Sequence, residues 1–167
     1  RMRDTAFKRG LKALTPGTRV RISAAGGALV LPADSSRPLV FLAGGIGITP
    51  FLSMIRQATK RSLPHDMTLI YSNRSPADAA FLTELQQTAA TNPRFRLVAT
   101  MTGADASGWT GGTGAIDDAL LSRQITGPGT PIWYLAGPAQ MVASMRDLLK
   151  KRGVAAKDIR SEEFYGY

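Results

Sequence analysis

Five short apolar runs recur along the chain: Leu39–Ala43, Met67–Ser72, Phe95–Thr100, Ile132–Ala136 and Ile159–Glu163. Most have the length of a buried strand and are rich in Val, Ile, Leu, Phe or Tyr, which suit a pleated surface. Between most of them apolar residues return every three or four positions, the period of a helix with one face turned inward. Phe51, Met54, Ile55 and Ala58 set this pattern within Pro50–Arg61. Phe81, Leu82 and Leu85 set it within Asp78–Ala90, and Met141, Val142, Met145, Leu148 and Leu149 within Pro138–Arg152. A shorter helical stretch runs from Ala115 to Arg123. Strand alternating with helix predicts an α/β fold, a doubly wound five-stranded parallel sheet whose right-handed crossovers place helices on both faces. Such sheets bind ligands beyond the carboxyl ends of the strands, where the winding reverses.

The first thirty-odd residues stand outside this rhythm. Thr5–Leu14 reads as a helix, Pro16-Gly17 as a turn, Arg19–Ser23 as a half-exposed strand, Gly26-Gly27 as a turn and Leu29–Leu31 as a short strand. That is too little to bury a core of its own. "ADSSRP", Ala33–Pro38, reads as a linker. Residues 1–33 are therefore expected to be the tail of a preceding domain, and residues 34–167 the α/β domain. The chain opens without a methionine, which suggests a fragment or a processed product.

Composition narrows the chemistry. The 167 residues suffice for one full core, and no run of 18 or more apolar residues is present to span a membrane. The chain has no cysteine, so disulfides, thiolate metal sites and cysteine nucleophiles are excluded, and a cytoplasmic setting is expected. The one histidine, His65, lies between Pro64 and Asp66 and reads as a solvated loop residue. Ser–His catalysis and multi-histidine metal sites are not expected. The formal charge of +9 is spread over short clusters without interleaved aromatics, so nucleic acid is not the expected partner. A phosphate-rich small molecule or an acidic protein satisfies the same field.

The stretch "FLAGGIGITPF", Phe41–Phe51, is the most informative. An apolar strand enters Gly44, Gly45 and Gly47, whose missing Cβ atoms let backbone turn sharply and press on a bulky ligand. Thr49 suits an N-cap and Pro50 the first helical position. The free N–H groups and dipole of that helix start make an anion site, for which a pyrophosphate is the natural occupant. A tight strand–helix turn with no ligand is the competing reading of this stretch.

"GGIGITPF", followed by "YSNRSPADAAF", "LAGPAQM" and a terminal "EEFYGY", resembles the ferredoxin–NADP⁺ reductase superfamily in the family's order. The resemblance implies a Rossmann-like NAD(P)-binding domain behind a remnant of a β-barrel FAD domain. It implies hydride transfer between NAD(P)H and FAD, with electrons passed to an acidic acceptor protein such as a ferredoxin, or to a haem domain. "RMRDTAFKR" is similar to the family's last flavin-domain helix, which makes Thr5 the match for a pyrophosphate contact; a plain N-cap is the alternative. The family's Arg-x-Tyr-Ser/Thr flavin-holding segment would lie upstream of Arg1, so this chain alone is expected to be inactive. A nucleotide-binding or interaction module without chemistry is the competing hypothesis.

No acid ends the second strand to bond a ribose 2′-hydroxyl, as NAD-selecting folds of this kind often have. Ser72 and Arg74 are placed instead to meet a 2′-phosphate, which favours NADP over NAD; pairing of Arg74 with Asp78 is the structural alternative. "LAGP" matches a family segment that often reads Cys-Gly-Pro near the nicotinamide. Ala136 stands at the cysteine's place, Gly137 keeps a close backbone approach, and Pro138 opens the next helix. Met141 reads as core. Phe164, or failing it Tyr167, matches the aromatic that covers the flavin ring, with packing of the strand end as the alternative. Glu163 or Glu162 is then a proton or hydrogen-bond partner. Thr102 and Trp109, from the glycine-rich loop after the third strand, are expected on the nicotinamide side.

Overall fold

The computed structural model describes residues 4–23, 26–103 and 108–164. After helix α1 (Ala6–Ala13), strands β1 (Leu39–Gly44), β2 (Met67–Asn73) and β3 (Phe95–Met101) alternate with helices α2 (Ile48–Lys60) and α3 (Leu82–Thr91). A two-residue strand β4 (Gly112–Thr113) follows, then α4 (Asp118–Gln124), β5 (Ile132–Pro138), α5 (Ala139–Lys151) and β6 (Ile159–Phe164). The strands form one parallel sheet in the order β4-β3-β2-β1-β5-β6. The chain steps outward from β1 to β4, returns across the sheet, and resumes at β5 on the other side of β1. The winding therefore reverses between β1 and β5.

The sheet has six strands, one more than its apolar runs predict. β4 pairs only Gly112 with Thr100 and Thr113 with Met101. Two exposed residues carry no hydrophobic period. β1 is buried at every position because helices cover both faces of the sheet. On one face, Leu39, Phe41, Leu69, Tyr71 and Tyr134 pack beneath α2 and α3. On the other, Val40, Leu42, Ile70, Trp133 and Leu135 pack beneath α4 and α5. Phe41 stacks on Phe51 of α2 with ring centroids 4.9 Å apart.

On the α2/α3 face, α2 reaches as far as β5, where Phe51 meets the Tyr134 ring at 6.5 Å between centroids. Leu29, Leu31 and Phe164 pack against the core on that face. Neither Arg19–Ser23 nor Leu29–Leu31 is a strand: no ladder partner lies beside either among the described residues, and residues 19–23 are exposed. α3 begins at Leu82 rather than Asp78. Residues 76–78 form a 3₁₀ turn, and Phe81 has φ 62°, which a continuous right-handed helix cannot include. α4 starts three residues later than its pattern predicts, where the Asp117 carboxylate accepts the Leu120 N–H at 2.7 Å. α1 is capped by Thr5, whose hydroxyl accepts the Lys8 N–H at 3.2 Å, and buries none of its residues.

His65 is not a solvated loop residue. It is 4% exposed, and its Nε2 lies 2.9 Å from the Pro32 carbonyl oxygen. A carbonyl only accepts, so Nε2 carries the hydrogen of this bond.

Candidate functional site at the β1/β5 switch point

β1 ends at Gly44, and residues 45–47 form one 3₁₀ turn that runs directly into α2. α2 starts at Ile48 with Gly47 as its N-cap, two residues earlier than the Thr49 cap expected from sequence. The Thr49 hydroxyl instead donates to the Ile46 carbonyl at 3.1 Å. Pro50 falls within the first turn, where helix N–H groups have no internal partner and a proline removes no bond. The glycines divide into two roles. Gly45 has φ +53°, and a Cβ there would point into open space. At buried Gly47 a Cβ would collide with the Ala136 carbonyl and lie 2.7 Å from the Gly137 Cα. Gly47 thus lets the loop seat against the end of β5.

A cleft of about 620 Å³ opens beyond these strand ends. Gly44, Gly45 and Ile46 form one wall. Ser72, Asn73 and Arg74, at the end of β2, form the next, with Asp78 and Ala80 from the turn after it. Thr102 closes one side, and Pro138 and Met141 the other. Of the expected site residues, the cleft therefore gathers Gly44, Gly45, Ser72, Arg74, Thr102 and Pro138. Gly47, Ala136 and Gly137 are buried behind it, while Thr49 and Pro50 lie on α2 just after the loop.

Hydrogen bonds between neighbouring strand ends hold the β2 wall. The Thr102 N–H and hydroxyl both donate to the Asn73 carbonyl, at 2.8 and 3.1 Å, and the Gly103 N–H donates to the Arg74 carbonyl at 2.8 Å. The Tyr71 hydroxyl donates to the Ala80 carbonyl at 3.2 Å and pins the following turn. Burial pushes the Tyr71 phenol up to about 12, against the opposing pull of Asn73 and Ala80. Arg74 is exposed and makes no ion pair among the described residues. Asp78 does not bind it; its carboxylate accepts the Ser75 hydroxyl at 2.8 Å.

Asn73 is a cleft residue that the sequence reading does not single out. It is 5% exposed and lines the cleft, yet its side-chain Nδ2 and Oδ1 have no geometrically sound hydrogen-bond partner among the described residues. It follows Met67, Leu69 and Tyr71 on the same buried face of β2. An amide at the last inward position of an apolar strand was the available signal, because burying one without partners is costly. Asp78 and Met141 were missed too, the first as a helix residue and the second as core. Met141 does both: it packs against the α5-side core and lines the cleft.

Trp109 lies elsewhere. Its Nε1 donates to the Gly112 carbonyl at 2.8 Å, and its ring lines a separate cavity of about 500 Å³ along β3, with Arg96, Gln86 and Gln124. β6 brings Phe164 into register with Pro138, and Glu163 with Gly137. Their side chains take opposite faces, as strand neighbours must. Phe164 packs on the α2/α3 side, and Glu163 lies 3.6 Å from Arg146 of α5. The Glu162 carboxylate accepts the Ala28 N–H at 2.8 Å. Tyr167 falls outside the described residues. No described helix is long and apolar enough to cross a membrane.

The family model of the oxidoreductase NAD-binding domain matches residues 41–147, from the glycine loop through most of α5. The chain is 30% identical over 150 residues to NADH-cytochrome b5 reductase 1 of Emericella nidulans, covering 86% of this chain and 48% of that protein. It is 27% identical over 158 residues to reductase component 1 of terephthalate 1,2-dioxygenase from Comamonas sp., covering 95% and 47% respectively. The chain thus spans about half the length of the curated relatives it matches. Among solved structures it resembles a ferredoxin NADP⁺ reductase from Neisseria gonorrhoeae with bound FAD and NADP, with a TM-score of 0.77 and 25% identity over 98% of this chain and 72% of that one. With the glycine loop, the switch-point cleft and the matched span in agreement, this chain belongs to the family of oxidoreductase NAD-binding domains.

Proposed function

We propose that this chain is the nicotinamide-nucleotide half of a flavoprotein reductase, and that the β1/β5 cleft takes NADPH or NADH. The observation that carries this reading is the cleft itself. Gly44–Ile46 line it at the start of a helix, beside the Arg74 cation and the buried Asn73 amide. Helix-start N–H groups and their dipole favour a diphosphate there. The buried amide and the open space at Gly45 both fit a bound dinucleotide.

Arg74 reads a 2′-phosphate by a charge-assisted contact, with Ser72 beside it, and this favours NADP. Asp78 on the same wall supplies the carboxylate that a ribose 2′-hydroxyl would use. The balance between Arg74 and Asp78 sets the preference. Residues 1–33 are read as the end of the flavin domain and residues 34–167 as the nucleotide domain. FAD, held mainly by the half upstream, supplies the one-electron or two-electron outlet for a hydride. On this chain Thr5, the N-cap of α1, is the contact to the FAD pyrophosphate, and Phe164 or Tyr167 shields the ring. Glu163 is the proton or hydrogen-bond partner there, and its carboxylate stands beside Arg146. The acceptor is an acidic protein or a haem domain, in keeping with the basic charge and the relatives' names. The cysteine-free composition accords with a cytoplasmic setting.

Titrating the chain with NADPH and NADH while following backbone amide resonances tests the site. Shifts at Gly44–Ile46, Ser72–Arg74 and Thr102 are expected. Shifts confined to the Trp109 cavity would refute the assignment.

A further inference from the structure

The segment before β1 is held to the nucleotide domain in an unusual way. Among the described residues no strand pairs with it, yet side chains from the α/β domain take its backbone polar atoms at every second residue. The Ala28 N–H donates to the Glu162 carboxylate at 2.8 Å. The Val30 carbonyl accepts the Tyr134 hydroxyl at 2.9 Å, and Arg160 supports both, donating to the Tyr134 oxygen at 2.8 Å and reaching the Val30 carbonyl at 3.4 Å. The Pro32 carbonyl takes the His65 Nε2 at 2.9 Å. Between these points Leu29 and Leu31 pack into the α2/α3-side core. The partners come from β5, β6 and the loop before β2, so the clasp spans the sheet.

None of these side chains lines the dinucleotide cleft. Packing alone would need only Leu29 and Leu31. The four polar partners add direction, because each bond fixes where a backbone atom sits. Two of them are half-buried neighbours on one face of β6, Arg160 and Glu162, two residues apart. The same face of that strand carries Phe164. The segment that leads toward the upstream half is therefore locked to the strand that ends at the aromatic tail.

We propose that Glu162, Tyr134, Arg160 and His65 are positioning residues that lock residues 28–32 to the nucleotide domain and so fix the approach of its two redox rings. This rests on the electron-transfer reading above. Hydride transfer depends steeply on geometry, and a displacement of about 1 Å can slow a reaction roughly 100-fold. A clasp remote from the cleft should thus govern rate without governing nucleotide affinity.

The test uses the full-length protein that contains this chain, with Glu162→Ala, Glu162→Gln and Tyr134→Phe. Glutamine keeps an oxygen that accepts the Ala28 N–H, and phenylalanine keeps the ring packing of Tyr134. Hydrogen exchange at the Ala28 amide, nucleotide affinity, and the rate of flavin reduction at saturating nucleotide are measured together. Glu162→Ala is expected to speed Ala28 exchange and slow flavin reduction by roughly tenfold or more, with affinity changed less than about twofold. Glu162→Gln should restore both, and Tyr134→Phe should slow reduction without altering affinity. Faster exchange with an unchanged reduction rate would overturn the positioning role, as would exchange that does not change in Glu162→Ala. A wild-type flavin that neither nucleotide reduces would overturn the electron-transfer reading, and the positioning role with it, whatever the exchange shows.

Discussion

Gly47 sits so close to Ala136 that its missing Cβ would overlap the Ala136 carbonyl, and this contact joins the start of α2 to the end of β5. Backbone cannot retreat cheaply, because β5 is paired on both sides. Gly47→Ala is therefore expected to cost about 1–3 kcal/mol of stability through overpacking, with any loss of nucleotide binding following the loss of folded protein. Gly45→Ala should behave differently. Its methyl group meets nothing in the protein and projects into open space at the cleft wall. Holding alanine at φ +53° costs roughly 1–2 kcal/mol, but the folded variant should bind NADPH and NADH more weakly at temperatures where it is fully native. Urea unfolding and nucleotide titration of both variants separate packing from contact.

Arg74 offers the direct test of nucleotide preference. Its guanidinium is exposed on the cleft wall, and the Asp78 carboxylate beside it is engaged by Ser75. Arg74→Ala should weaken NADPH binding by about 1.5–3 kcal/mol, the worth of a hydrogen bond to a charged group, and leave NADH nearly unchanged. Asp78→Ala should act in the opposite sense, weakening NADH more than NADPH. Calorimetric titration with both nucleotides checks this. Equal losses in Arg74→Ala would assign the cleft to NAD.

What sequence reading reached, and what it missed, follows from range. β1, β2 and β5 are buried on both faces or nearly so, and each appears as a continuous apolar run. The glycine loop is a local motif, and so is the Ser72–Arg74 wall. The clasp is not local. Ala28 meets Glu162 across 134 positions and Val30 meets Tyr134 across 104. Nothing in "GGALVLP" announces such partners. His65 was misread for the same reason: its chain neighbours Pro64 and Asp66 suggest solvent, while the Pro32 carbonyl that buries it arrives from 33 residues upstream. Thr49 failed as a cap through a local effect. Gly47 already provides the helix start, so the threonine hydroxyl turns back to Ile46.

Asp158 ties the linker before β1 to the β6 edge of the sheet through Arg37. Its carboxylate accepts Arg37 Nη1 at 2.7 Å, while Arg37 Nε and Nη2 donate to the Thr130 and Pro131 carbonyls at 2.8 and 3.1 Å. The hydrogen bond from Arg37, aided by its charge, holds the Asp158 carboxyl below its ordinary 3.8. A depressed carboxyl stabilises the fold fully above the unfolded value, and that stabilisation is lost as pH falls through the lower folded value. Thermal unfolding midpoints should therefore drop below about pH 4 more steeply in the wild type than in Asp158→Asn. Near neutral pH the variant should be the less stable of the two, because Arg37 keeps its charge without a counter-charge.

The alkaline limb should be governed by the buried phenols. Burial pushes Tyr71 from 10.0 up to about 12, and it also raises Tyr134, where the charge of Arg160 works in opposition. A raised tyrosine stabilises nothing extra below pH 10, since both states are then protonated. Between 10 and 12 the unfolded chain releases a proton that folded Tyr71 retains, so stability falls as pH rises. Tyr71→Phe removes this dependence while losing the bond to the Ala80 carbonyl, at about 1 kcal/mol. Urea midpoints at about pH 8 should therefore favour the wild type, and the gap should narrow by about pH 11. A gap that holds constant over that interval would show that the Tyr71 hydroxyl titrates as freely as an exposed phenol, and that the turn after β2 is open to water.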